Sequence, residues 1–379
     1  MRRNKHIPTD NESQDGPTLC NTNYELSTPP HLHPDFQGVA PNGATEPYFN
    51  RDYGVDLLKA IAAFFVVVIH SHGYLSIYGR ELADSLSAIS RLGVGVFFMI
   101  TGYYLPSLIG RGRLKGHIKK VFVLALWSCL VYLIFNSIYF ELRWGDYTEP
   151  LKNITAKENI WIQLILNEVK FEIHLWYLFA AGYSIIFCGV FYNLGKKKAL
   201  YVIAFVLLII GLCLQYLEKP HYIFRNWIFY GIPYVSIGIL IKEQYASLEK
   251  IEWKYLVIAL LASITNCVFE ALVYSSYRDY YFLTFLGCAT LMICAIRVGP
   301  YLNKRVKEGN RWIIGIVTVG LKYSVYIYIF HFIIKHFLDF IIKIAPIEPF
   351  YIYGIFPVLI YLLSLLMAIV WTRFKRRPF

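Results

Sequence analysis

From Val55 onward the chain repeats one pattern, an apolar run of about twenty residues followed by a short polar turn. A helix that crosses a bilayer needs roughly 17–25 such residues. Runs of this kind lie at 55–78, 92–110, 120–140, 173–194, 199–217, 226–242, 254–276, 280–297, 317–340 and 350–371. The sixth is short and holds Gly231 and Pro233, which lipid tolerates only where neighbouring helices satisfy the freed backbone groups. The pattern predicts an all-α polytopic membrane bundle of about ten transmembrane helices over residues 51–379. Residues 1–50 read differently. They are rich in Pro, Asn, Thr and Gly and lack apolar periodicity, so they are expected to form a disordered polar tail. The basic start at Arg2, Arg3 and Lys5 is not followed by the apolar core of a signal peptide, so the tail is expected to stay on the side where it is made.

Composition removes the other classes. Of 379 residues, 57% are hydrophobic and 16% charged, whereas a soluble protein carries roughly 25% charged residues. This excludes a soluble globular enzyme and, despite the net charge of +12, a nucleic-acid-binding domain. The positive excess is a matter of sidedness. With the N-terminus inside and ten spans, Lys and Arg divide 26 inside to 11 outside, while the acidic residues divide almost evenly, 12 to 13. That asymmetry is the positive-inside signature and predicts both termini in the cytoplasm. Six of the seven cysteines lie within apolar runs, without the spacing of a disulfide framework or a zinc site, and read as small buried hydrophobes.

Ionisable residues inside spans are costly and mark candidate sites. In the first span Lys59 and His70 are eleven residues apart, close to three full turns, so they share a face and stand roughly 16 Å apart along the axis. Lys59 alone also fits a side chain snorkelling to the inner interface, and a lone histidine fits a helix-packing contact. His331 of the ninth span reaches a depth comparable to His70, and His174 sits at the outer end of the fourth. Three histidines from three spans in the outer half point to a polar cavity suited to proton transfer near neutral pH. On the inner side a basic run, Arg111, Arg113, Lys115, His117, Lys119 and Lys120, follows the second span. It fits contact with anionic lipid or a cradle for a phosphorylated donor.

These segments resemble the acyltransferase-3 family of integral membrane O-acyltransferases. Asp56-x-x-Lys59-Ala-x-Ala, ending at His70, resembles the family's Arg/Lys-x10-His motif. Gly93-Val-Gly-Val-Phe-Phe-Met-Ile-Thr101-Gly102-Tyr resembles its second-span segment, with Thr101 where Ser is usual. The basic run resembles its Arg-rich third-span entry, His174-Leu-Trp176-Tyr177-Leu its His-Leu-Trp segment, and Tyr323 to His331 its late Tyr-Leu-x-His segment. The ordered set covers about 55–371.

The resemblance implies transfer of an acyl group, usually acetyl, from cytoplasmic acyl-CoA to a hydroxyl of a cell-envelope glycan or lipid-linked sugar, in a bacterial inner membrane. Acyl-CoA is then a co-substrate rather than a resident cofactor, and no metal is implied. By position, His70 would be the catalytic base or acyl relay. Lys59 would stand where Arg is usual, keeping the charge while losing the bidentate fork. Arg111, Arg113, Lys119 and Lys120 would hold the CoA phosphates; Thr101, His174, Trp176, Tyr177 and His331 would face the acceptor. With no hydrolase-like domain after the last span, the transfer step is expected within the membrane domain or with a partner. A transporter or flippase for a glycolipid or organic anion explains the buried Lys and His equally well. It leaves the basic run and the ordered segments unexplained, and the interrupted inverted repeat of many transporters is not evident.

Overall fold

The computed structural model describes residues 51–155, 157–274, 278–344 and 352–375. The segment 1–50, read above as a tail, lies outside the described residues. Every regular element among the described residues is helical, and nine helical stretches there are long and apolar enough to cross a membrane. The protein is an integral membrane bundle.

Helix α1 (Tyr53–His70) starts where the Asp52 carboxylate accepts from the amides of Gly54 and Val55, satisfying two of the orphan donors of a helix N-terminus. It ends at His70. A turn then leads into the amphipathic α2 (Arg80–Ser90), which runs on into α3 (Leu92–Gly110). The long α4 (Leu114–Trp144), α5 (Trp176–Asn193) and α6 (Lys197–Tyr216) follow. On α4, Val123, Leu126, Leu130, Ile134 and Ile138 recur at helical spacing and are all exposed, as a lipid-facing stripe must be.

The predicted sixth span needs correction. It is a π turn at Trp227–Gly231 continued by α7 (Ile232–Glu243), five residues and then twelve, and it falls short of the nine. Its backbone is rescued locally. The Asn226 side chain accepts from the amides of Ile228 and Phe229, and Pro233 sits at the helix start, where an N–H is not needed. Helices α3, α5, α6 and α9 (Thr284–Lys307) surround α7, so protein rather than lipid receives the irregular turn. The remaining long helices are α8 (Trp253–Tyr274), α10 (Ser324–Ile344) and α11 (Phe356–Lys375), with α10 entered through Arg311–Thr318 and a second π turn, Val319–Tyr323. The cysteine reading also needs adjustment. Cys188, Cys267 and Cys288 are buried, but Cys213 is exposed on α6.

Helix α1 is the axis of the bundle. It packs against α3, α9, α10 and the second π turn. Val55, Leu58 and Ala62 belong to a core shared with α3, α5, α7 and α9, while Ala63, Val66 and Val67 belong to one shared with α4, α10 and α11. The tightest seam joins α3 and α7. A Cβ on Gly102 would stand 1.9 Å from the Val235 carbonyl oxygen, and one on Gly238 would stand 2.0 Å from that of Met99. Small residues let helix backbones approach in a medium where there is no hydrophobic drive between helices.

Gly102→Ala is therefore expected to destabilise the bundle by about 1–3 kcal/mol or more, because backbone rather than a movable side chain blocks the new methyl. Gly110→Ala, at a position with open space around it, is the control. Thermal unfolding in detergent should show a lower midpoint for the first and none for the second; equal midpoints would contradict the seam.

Candidate active site

The three histidines meet. His70 ends α1, His174 lies in the 3-10 turn Ile173–Leu175 that opens α5, and His331 lies in α10. Ring centroids are 5.2 Å apart for His70–His331, 5.1 Å for His174–His331 and 6.3 Å for His70–His174. Phe332 is the common wall. It stacks on His174 at 4.5 Å with planes 7° apart, and meets His70 edge-on at 4.6 Å.

Their hydrogen bonds differ. His331 Nδ1 lies 2.6 Å from the Tyr328 carbonyl oxygen, so Nδ1 carries the proton and donates. His174 Nδ1 lies 3.0 Å from Glu172 Oε1. The Nε2 atoms of both rings are buried and find no hydrogen-bond partner among the described residues. His70 lines a cavity of about 40 Å³, room for roughly three waters, with His174, Trp176 and Arg225 among the other walls.

That cavity has a charged rim. Asp279 is buried and takes Arg91 Nη1 at 2.7 Å and His221 Nδ1 at 2.7 Å, with Arg225 Nη1 at 3.6 Å. Arg225 Nη2 also lies 3.7 Å from Glu168. Burial alone would raise the Asp279 carboxyl; the Arg225 and Arg91 guanidiniums and the bond from His221 outweigh it and hold the group well below the usual carboxylate range. Sequence reasoning missed Glu172, Arg91, Arg225 and Asp279. A signal was present: each immediately precedes the start of a predicted apolar run, at 173, 92, 226 and 280.

The other predicted residues lie elsewhere. Lys59 Nζ is 2.9 Å from Asp56 Oδ1, while the other oxygen of that buried carboxylate receives Arg51 Nε at 2.7 Å. Lys59 also lies 5.0 Å from the centre of the Tyr104 ring. Arg111, Arg113, Lys119 and Lys120 are exposed around the turn between α3 and α4, at the opposite end of α3 from Arg91. Trp176 lines the cavity, with the Arg225 guanidinium 5.6 Å from its ring centre. Tyr177 packs against Phe98 and Tyr328. The Thr101 hydroxyl donates to the Phe97 carbonyl oxygen at 2.9 Å and is not among the cavity walls. His72 leaves the cluster altogether and pairs with Asp84 at 2.7 Å.

Because Asp279 neutralises guanidiniums from two separate segments, Asp279→Asn is expected to cost about 3–5 kcal/mol, seen as a large drop in the unfolding midpoint. Its depressed pKa sets the sign: the stabilisation is present above the ordinary carboxylate pKa of about 3.9 and is lost only as pH falls well below it. Asp146→Asn, which breaks an exposed pair with Lys152, should leave the midpoint where it was. Equal effects of the two changes would contradict this account of the rim.

Comparison with known proteins agrees with the class of site. No solved structure matches the chain. It is 27% identical over 222 residues to a serine/alanine racemase of Enterococcus gallinarum, covering 51% of this chain and 30% of that protein. It is 31% identical over 140 residues to an amino-acid racemase of Enterococcus faecalis, covering 34% of this chain and 18% of that protein. The chain thus spans less than a third of the length of either relative. The family profile described as an acyltransferase domain, acyltransferase-3, matches residues 52–372, which include α1 and all three clustered histidines. The chain belongs to the acyltransferase-3 family of membrane acyltransferases.

Proposed function

We propose that the protein takes an acyl group, acetyl in the simplest case, from acyl-CoA at the cytoplasmic face and places it on a hydroxyl of a cell-envelope glycan or lipid-linked sugar at the opposite face. The membrane would be the bacterial inner membrane, with both termini cytoplasmic, a reading supported by the 26 to 11 asymmetry of Lys and Arg. The observation that carries the proposal is the convergence of His70, His174 and His331 on one end of the bundle, beside a cavity, in a chain of this family. Acyl transfer to a hydroxyl needs a group that accepts the hydroxyl proton within hydrogen-bond reach of the reacting carbon, and imidazole suits that task near neutral pH.

At the other end of α1, Lys59 and Arg51 share the Asp56 carboxylate, and the exposed Arg111, Arg113, Lys119 and Lys120 lie around the turn after α3. This basic end would hold the phosphates of CoA, while the extended thiol arm reaches along α1 toward His70. Lys59 is not a free cation, so its part would be to set local charge with Arg51 as much as to touch phosphate. His70 would be the catalytic residue at the acyl carbon. His174 and Trp176, as cavity walls, would face the acceptor, with His331 and Tyr177 behind them. Thr101, whose hydroxyl donates to its own helix and also meets the Tyr177 hydroxyl, would act by positioning that ring. Less than a third of either racemase is matched, so amino-acid chemistry is not carried over from their names.

The test is acyl-CoA consumption by the purified full chain. His70→Ala is expected to lower kcat by roughly 10²–10⁴-fold while acyl-CoA still binds. His72→Ala, whose partner Asp84 lies outside the cavity walls, should keep near-normal kcat. Arg111→Ala/Arg113→Ala should raise the KM for acyl-CoA and spare kcat, since such contacts bind ground and transition states alike. Near-normal transfer by His70→Ala, or a dead His72→Ala protein, would overturn the assignment.

A further inference from the structure

We propose that Glu172 is the positioning residue of this site: it holds His174, a wall of the cavity that His70 also lines, with Nε2 bare, and gives that ring the negative partner it needs to accept the hydroxyl proton. The inference rests on the acyl-transfer reading of the site and deepens it, moving the proton to His174 and leaving His70 as the contact to the acyl group.

Glu172 is buried and both of its oxygens are engaged. Oε1 stands 3.0 Å from His174 Nδ1, and Oε2 accepts from Asn136 Nδ2 at 3.2 Å. Asn136 in turn donates to the Phe171 carbonyl oxygen at 2.9 Å, so the amide that orients the carboxylate is itself anchored. An ionised carboxylate only accepts, which puts the proton on Nδ1 and the lone pair on Nε2. The ring cannot turn away from this arrangement. Phe332 stacks on one side, Tyr132 meets it edge-on at 4.8 Å, and the Tyr328 hydroxyl donates to the carbonyl oxygen of His174 itself.

The three histidines are not equivalent as proton acceptors. An imidazolium in a water-poor interior is costly unless a negative group pairs with it. His331 leans on a neutral carbonyl. His70 faces a cavity whose cations, Arg91 and Arg225, already occupy Asp279 and Glu168. The neighbouring hydroxyls of Tyr132 and Tyr328 donate to backbone carbonyls. His336, 5.9 Å from Phe332 by ring centroids, packs against Tyr139 and Phe135. The cluster's carboxylate that touches an imidazole without an arginine in between is Glu172. As the acceptor oxygen bonds to the thioester carbon, its proton passes to Nε2. The carbon–sulfur bond breaks with the electron pair going to sulfur, and the proton returns from Nε2 to that thiolate, leaving an ester and free thiol.

The experiment compares wild type, Glu172→Gln, His174→Gln and the double variant, all as full chains in detergent, by acyl-CoA consumption and by ¹⁵N NMR of the histidine rings with His174→Gln as the assignment reference. Glu172→Gln should lower kcat about 10²-fold with the KM for acyl-CoA unchanged. The double variant should be no slower than His174→Gln alone, since the two residues act as a unit. The NMR spectrum should show an Nδ1-protonated His174 ring in wild type and a mixture of ring tautomers in Glu172→Gln. If Glu172→Gln does not fold, Asn136→Ala, which frees the carboxylate to rotate, should show a smaller fall in kcat of the same kind. An unchanged kcat and ring tautomer, or additive losses in the double variant, would overturn the proposal. A wild-type protein that shows the NMR signature but consumes no acyl-CoA would instead overturn the acyl-transfer reading while leaving the Glu172–His174 pairing in place.

Discussion

A charge withdrawn from water must find its opposite, and in this bundle the demand is met at one buried carboxylate. Asp279 draws Arg91 from the head of α3 together with His221 and Arg225 from the segment before α7. Those ties bring together parts of the chain up to 188 residues apart and build one wall of the cavity. With the arginines committed to Asp279 and Glu168, the imidazoles across the cavity would be left, in the proposed reading, to handle the acceptor's proton. The cost of burying charge thus separates the rim, where guanidiniums meet carboxylates, from the histidine cluster, whose rings bond a backbone carbonyl and Glu172.

The same rule operates at the far end of α1. Asp56 is fully buried and is shared by Arg51 and Lys59, so the cation that the motif places inside the span arrives already paired. One helix therefore carries a paired charge cluster at its start and His70 at its last residue, roughly 16 Å beyond Lys59. Its small residues, Ala62 and Ala63 among them, let the two cores close around it. The close seam between α3 and α7 then fixes the face against which α1 packs. A donor bound at the basic end and an acceptor at the histidine end would meet along this single rigid element.

Much of this was legible from hydropathy, and the exceptions have physical causes. Runs of apolar residues report lipid contact, so α3, α5, α6 and α8 fall within a few residues of their predicted bounds, whereas α1 stops at His70, eight residues before the predicted end at 78. The sixth run misled because α7 is enclosed by other helices, where a π turn and Pro233 are tolerated and full span length is not required. The eleven-residue interval from Lys59 to His70 was readable because helix geometry converts spacing into a shared face. The pairs Arg91–Asp279 and Arg225–Glu168 were not, since partners so far apart in sequence are joined only by the packing of other helices. Glu172 lay in view, two residues before His174, but its role depends on Asn136 from α4 and on a 3-10 turn that aims the two side chains at each other.

The central claim is that donor and acceptor meet at the histidine cluster from opposite faces of the membrane. Reconstitution into liposomes with the protein in one known orientation tests it, with labelled acetyl-CoA confined first to one face and then to the other. Label should leave CoA and appear on a hydroxyl-bearing envelope lipid when the donor is on the face of Arg111 and Arg113. Transfer that is equally fast, or faster, when acetyl-CoA is confined to the face of Asp279 would contradict the account.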